Sequence, residues 1–393
     1  MIDSLYVAWE YVKFNKTKTA TLVACVTLIA ILPIALELLL SESERQLRAR
    51  ATSTPLVIGA KGSALDLVMN NLYFGDEIPE LISMQAAEQI MTSSLALPMP
   101  MYVRFQARGF PIVGTTLDYF DWRGLTVAEG RLLAVLGDCV VGASVAERLG
   151  LKAGDSLISS PETLFDLAGV YPLKMTVVGV LRKSHTADDL AVFVDLKTAW
   201  IIEGLGHGHQ DVTRSKDTTV ILQRTDTNVI ANAKLPQYTE ITEANLDAFH
   251  FHGDPSVYPL TAVIALPHDQ KAGTILRGRY LSGDAMHQIV RPKDVIDGLL
   301  ENIFRIKNLL DAVIVLVGLA TVLAIVLVFA LSLRLRQQEI STIFKLGCRR
   351  LTTVRMVAAE IAIIVGISGF LCAGLVLLVW HYDNDLVRML FIG

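Results

Sequence analysis

Residues 334–355 read RLRQQEISTIFKLGCRRLTTVR and lie between two apolar runs, Leu309–Leu333 and Met356–Trp380. The segment holds Arg334, Arg336, Lys345, Arg349, Arg350 and Arg355 against a single acid, Glu339. Each flanking run has 25 residues, and a helix of that length rises ~37 Å, enough to cross the hydrocarbon core of a bilayer. Short loops rich in Lys and Arg stay in the cytoplasm. The stretch therefore reads as a cytoplasmic loop joining two membrane helices.

A third apolar run, Ala20–Leu40 (ATLVACVTLIAILPIALELLL), follows Lys13, Lys16 and Lys18. It is longer than the core of a usual signal peptide, and no small-residue cleavage pattern follows it, so it reads as an uncleaved anchor. Within residues 1–19, Leu5, Tyr6, Trp9, Val12 and Phe14 recur at roughly helical spacing, which predicts an amphipathic helix along the cytoplasmic face. With both basic flanks inside, residues 41–308 fall outside, and so does the tail, 381–393. Pro33 is expected to loosen the first span. In the third, Gly366, Gly369 and Ala373 offer small residues for close helix packing, or are the ordinary glycine content of a membrane helix. Glu37, Asp311 and Glu360 sit near span ends, where charge is cheap.

Of the 393 residues, 52% are hydrophobic and 19% charged, with a net charge of −4. That small charge argues against nucleic acid as a partner, because a basic face or stripe is then expected. Cys139 is the one cysteine of residues 41–308, which excludes a disulfide within that segment. Cys25 and Cys372 fall in apolar runs and Cys348 in the basic loop, and no zinc-type Cys/His spacing appears.

The outside segment alternates short β-like runs with helical patterns. The runs are 56–59, 111–115, 139–141, 175–181, 191–194, 218–222 and 260–265, and helices are expected over 63–72, 144–149 and 196–202. This mixture indicates an α+β domain. Residues 292–308 read as a helix that continues into the second span. The fold class expected is thus an α-helical polytopic membrane protein, three spans visible, with a large α+β extracytoplasmic domain.

Two motifs resemble catalytic loops. Gly59-Ala60-Lys61-Gly62-Ser63 lacks the order G-x-x-x-x-G-K-[ST] of a phosphate loop, which is found nowhere in the chain. Gly142-Ala143-Ser144-Val145-Ala146 lacks the closing glycine of a nucleophile elbow, and Ser144 reads as a helix N-cap. No catalytic constellation emerges. Two H-x-H pairs do stand out, His207/His209 in GLGHGHQD and His250/His252 in AFHFHGDP. In an extended strand i and i+2 share a face, so each pair can offer two imidazoles to one zinc-like ion, with Asp211 and Asp254 nearby. The other reading is two solvated loops that contain histidine, since nothing in the sequence brings the pairs together.

The order of anchor, large outside domain, second span, basic loop and third span resembles the MacB/LolC/FtsX class of ABC transporter permeases, the type VII or mechanotransmission systems. Ile58–Ser63 with Leu67-Val68 and Leu72-Tyr73 is similar to the GAKGS signature of one MacB-like branch. Ile112–Thr116 with Asp118-Tyr119, Ala128–Arg131, Val141–Gly150 and Val177–Leu181 fit the same branch. In the loop, Arg336–Ile340 followed by Lys345–Arg350 is similar to the family's R-x-x-E-I…L-G-A-x-R pattern, and Glu360 matches its third-helix acid.

The resemblance implies a non-catalytic subunit of the bacterial inner membrane, a homodimer or pseudo-dimer that docks a separate cytoplasmic ATPase. Glu339, Ile340, Ile343, Phe344, Leu346 and Gly347 would form the coupling contact. ATP would be bound on the partner, and a periplasmic substrate-binding or accessory protein is a further expected partner beside membrane lipid. The alternatives are an FtsX-like regulator of a periplasmic partner, without transport, and a component of a zinc-responsive uptake system. The family also carries a fourth span, expected to follow Gly393.

Overall fold

The computed structural model describes residues 2–160, 172–208, 221–224, 229–231, 239–281, 286–335, 337–345 and 350–391. The chain divides into two compact units. One comprises Met1–Arg45 and Leu299–Phe391, the other Gln46–Gly298.

The first unit is helical. Helix Ile2–Phe14 precedes helix Lys16–Ser53, and helices Pro292–Leu335, Gln337–Lys345 and Arg350–Phe391 follow the sheet domain. Among the described residues, three helices are long and apolar enough to cross a membrane, within Lys16–Ser53, Pro292–Leu327 and Val354–Leu378. All three outrun their apolar segments, Arg350–Phe391 at both ends of Met356–Trp380. Lys16–Ser53 extends past Leu40, and Pro292–Leu335 begins well before Leu309, as the periodicity of 292–308 predicts. Helix Ile2–Phe14 lies against Arg350–Phe391 with Ala8 and Val12 buried, one turn apart, while Tyr6, Trp9 and Phe14 stay exposed. The tail beyond residue 380 continues that long helix as far as Phe391.

Helix Arg350–Phe391 buries a stripe of Glu360, Ile364, Ser368 and Cys372, each one turn from the next. Ile364 packs with Leu22 and Val23, and the Ser368 hydroxyl donates to the Val23 carbonyl at 3.3 Å. Lys18 pairs with Glu360 at 2.9 Å, so two charges that are dear inside a membrane neutralise one another. Lys307 pairs with Glu37 in the same way. Gly366, Gly369 and Ala373 face away from the buried stripe and are exposed in the single chain.

The second unit is built on a ten-stranded mixed sheet. Its order runs His287–Val290, Leu56–Ala60, Ala262–Pro267, Ala96–Ala107, Phe110–Thr115, Val192–Asp195, Asp138–Val141, Lys174–Leu181, Val127–Gly130, with Ser156–Ile158 also paired to Lys174–Leu181. Two pairings are parallel, Phe110–Thr115 with Val192–Asp195 and Asp138–Val141 with Lys174–Leu181. The β-like runs at 56–59, 111–115, 139–141, 175–181 and 191–194 all become strands within a residue or two, and 260–265 splits at Thr261. Of 218–222, only Ile221 and Leu222 are among the described residues, in strand Ile221–Arg224.

Periodicity misses four strands of this sheet, Val127–Gly130, Ser156–Ile158, His287–Val290 and the longest, Ala96–Ala107, which contains Pro98 and Pro100. Proline removes a ladder donor and is normally confined to edges. Here the Met101 carbonyl accepts from Thr261 N–H on one side, whereas the Pro100 carbonyl accepts from the Thr115 hydroxyl on the other. The two prolines thus turn their missing N–H groups toward Phe110–Thr115. The ladder with that strand involves only Tyr102 to Ala107.

The GAKGS segment is explained by packing. Gly59 lies under Leu67, whose Cδ1 would stand 2.3 Å from an added Cβ. Ser63 caps helix Ala64–Tyr73 by accepting from Asp66 N–H at 3.1 Å. Ser144 does not cap its helix. Gly142 is the N-cap of Ala143–Leu149, and Ser144 is buried inside the first turn. The reason is steric, since a Cβ at 142 would meet the Asp188 carbonyl oxygen at 2.3 Å.

Candidate functional site

Strands Gly206–Gly208 and Phe249–Phe251 pair antiparallel with His207 opposite His250, Gly206 opposite Phe251 and Gly208 opposite Phe249. Directly opposed residues share a face, and His252 falls on the face of His250. One face of the strand pair therefore carries imidazoles and the other carries phenyl rings. Phe249 and Phe251 pack against the domain core. Their rings occupy the space where Cβ atoms of Gly208 and Gly206 would stand, at 2.9 and 2.7 Å. The alternation G-H-G against F-H-F is thus a packing code that aims three histidines to one side.

The ligating atoms of His207, His250 and His252 all lie within 4.8 Å of one another. His207 Nε2 and His252 Nε2 are 3.3 Å apart, and the three ring centroids are 4.8–5.0 Å apart. His250 Nδ1 lies 3.1 Å from the Ala248 carbonyl, to which it donates as the Nδ1–H tautomer. The chain beyond the strand is fixed by the buried Tyr258, whose hydroxyl donates to the His252 carbonyl at 2.9 Å and whose ring meets Trp200 edge-on. Asp254 spends its carboxylate on Ser256 N–H, which holds it below the usual carboxylate range. His209 and Asp211 lie outside the described residues.

A second polar cluster is buried where helix Lys16–Ser53 ends. The Arg50 guanidinium donates to Asp188 Oδ2 at 2.5 Å and Oδ1 at 2.9 Å, to the Tyr119 hydroxyl at 2.9 Å, and to the Leu72 carbonyl. Tyr119 closes the triangle by donating to Asp188 Oδ1 at 2.7 Å. Arg123 stacks on Trp122 at 3.9 Å and donates to Ser53 and Thr54 hydroxyls at 2.9 Å. Burial alone would raise the Asp188 carboxyl, but Arg50 and the Tyr119 hydrogen bond outweigh it and hold Asp188 at about 2. Burial pushes the Tyr119 phenol up to about 12. Arg50, Tyr119 and Asp188 are matched to one another, while Arg123 Nε is buried without a partner; the matched triangle is a structural clamp.

Cys139 is buried in the sheet, and burial pushes its thiol up to about 12, which makes it unreactive. In the loop between apolar helices, residues 337–345 form a helix that contains Glu339, Ile340, Ile343 and Phe344. Leu346 and Gly347 lie outside the described residues. The sequence contained both halves of the histidine cluster but not their juxtaposition, and it held no signal for Arg50, Tyr119, Arg123 and Asp188.

A family model for the MacB-like periplasmic core domain matches residues 23–244, more than half of the chain. The match reaches from the first apolar helix past His207 and ends before His250. No curated protein sequence matches. Among solved structures, the periplasmic region of MacB from Actinobacillus actinomycetemcomitans is similar at 14% identity and TM-score 0.35, covering 65% of this chain and 96% of that one. The extracellular domain of the ABC-type transporter YknZ from Gram-positive bacteria gives 10% identity and 0.33, covering 60% and 98%. A domain of a putative permease from Porphyromonas gingivalis gives 12% identity and 0.27, covering 60% and 86%.

Proposed function

Because this chain belongs to the family of the MacB-like periplasmic core domain, we propose that it is the membrane subunit of an ABC transporter. These residues contain no phosphate loop; in this reading a cytoplasmic partner hydrolyses ATP and this subunit is non-catalytic. The observation that carries the reading is the family match set between apolar helices. It is supported by the basic loop that follows the second of them.

The mechanism follows from the helices. Residues 337–345 form a short helix with Ile340, Ile343 and Phe344 at spacings of three and four, an apolar stripe that needs a partner in water. The ATPase covers that stripe. Movement of the docked loop is passed along Pro292–Leu335, one uninterrupted helix that starts beside the last sheet strand in sequence and runs through the apolar segment. A helix hydrogen-bonded throughout its length transmits displacement with little loss. ATP-driven closure of two ATPases thereby moves two extracytoplasmic domains.

The test is to purify the tagged chain from its native membrane and identify what accompanies it. An ATPase with a phosphate loop supports the reading, and its absence from a stable, folded preparation overturns it. A soluble hydrolase recovered with that ATPase, and no exported substrate, would favour the regulatory role over transport.

A further inference from the structure

We propose that His207, His250 and His252 form a binding site for a borderline transition-metal cation of the Zn²⁺ class. The inference concerns the sheet domain alone and does not depend on the ATPase reading.

Geometry is the first argument. A tetrahedral zinc with Zn–N bonds near 2.05 Å places ligand nitrogens about 3.3 Å apart. His207 Nε2 and His252 Nε2 stand 3.3 Å apart already. The third imidazole is within 4.8 Å, a gap that small side-chain rotations close. Three rings on adjacent, directly paired backbone positions are hard to gather by chance. Strand pairing fixes His207 against His250, and the two-residue period fixes His252 beside them.

The supporting shell is the second argument. A metal-bound imidazole usually donates its other ring N–H to a carbonyl or carboxylate, which sets its tautomer and orientation. His250 does this through Nδ1 to Ala248, so that Nε2 is the atom it would offer a metal. The backbone carrying the ligands is fixed from behind. Phe249 and Phe251 are packed on the core, the glycines opposite them admit no side chain, and Tyr258 holds the His252 carbonyl. A site on a rigid frame loses little entropy when it binds.

The donor set decides the ion. Three neutral imidazoles suit Zn²⁺, Co²⁺, Ni²⁺ or Cu²⁺, whereas Ca²⁺ and Mg²⁺ demand oxygen. Among the described residues the cluster includes no carboxylate. His250 and His252 are exposed and His207 is half-buried, so an ion can reach the cluster from solvent.

Calorimetry on the full chain in detergent micelles, titrated with Zn²⁺ and separately with Ca²⁺, tests this. The prediction is one Zn²⁺ per chain and no Ca²⁺ heat. His207→Ala and His252→Ala should each weaken Zn²⁺ by more than the roughly 10–100-fold that losing an outer-shell partner costs. Co²⁺ should give the visible absorption of a four- or five-coordinate nitrogen site without sulfur charge transfer. Metal-free melting of each variant, and of His207→Gln as a shape-preserving control, should match wild type and so certify the fold. Unchanged Zn²⁺ affinity in His207→Ala/His250→Ala/His252→Ala, absent binding in wild type, or equal binding of Ca²⁺ would overturn the proposal.

Discussion

Arg50 and Asp188 stand 138 residues apart in sequence and meet as a two-pronged ion pair, with side chains 6% and 2% exposed. Arg50 belongs to the last turn of helix Lys16–Ser53, the helix that begins as the first apolar segment. Asp188 belongs to the short turn before strand Val192–Asp195, near the middle of the sheet. The pair ties the end of that helix to the sheet of its own unit.

Breaking this pair from one side leaves a buried charge uncompensated. Arg50→Met and Asp188→Asn should each destabilise the sheet domain by about 3–5 kcal/mol, whereas Arg50→Met/Asp188→Leu together should cost less than the two singles summed. Denaturant unfolding followed by Trp fluorescence measures this, and additive losses would contradict the coupling.

The pair also fixes a pH dependence. Asp188 is held at about 2 against an ordinary 3.8, so its folded pKa is depressed. Its contribution is present above pH 3.8 and disappears as pH falls toward 2, an effect of ~2 kcal/mol. The stability gap between wild type and Asp188→Asn should therefore be constant from pH 5 to 8 and narrow between pH 4 and 2. A gap that widened on acidification would refute the assignment.

Gly142 offers a sharper steric test. An added Cβ would stand 2.3 and 2.4 Å from the carbonyl oxygens of Asp188 and Asp189, both backbone atoms that cannot rotate aside. Gly142→Ala should destabilise the domain by about 1–3 kcal/mol, and alanine is also the poorer N-cap. Gly150→Ala makes no such contact but sits at φ +67°, so its cost should be conformational and near 1 kcal/mol.

Much of this was legible in the sequence because apolar period and basic flanks act locally. The three long helices, the helix running from residue 292 into the second apolar run and most sheet strands follow from patterns within a dozen residues. Strand Ala96–Ala107 was hidden because Pro98 and Pro100 suppress the local strand signal, while tertiary pairing on one side tolerates them. Ser144 looked like a cap by residue type, but the close approach of Asp188 decides for Gly142. The His pairs were visible singly, and their meeting depends on glycines and phenylalanines placed more than 40 residues apart. Arg50 and its partners leave no local trace, since a satisfied buried network is assembled from four distant segments.

The proposed docking of an ATPase on helix Gln337–Lys345 is tested by co-purification of that ATPase with Phe344→Ala and Glu339→Ala. A buried anchor at an interface is typically worth more than 1 kcal/mol, whereas a solvated basic collar would not register the loss of a phenyl ring. If the helix docks the ATPase, both variants insert into the membrane normally, retain less ATPase than wild type and lose coupled ATP hydrolysis. Retention of the ATPase at wild-type levels by both variants would contradict it.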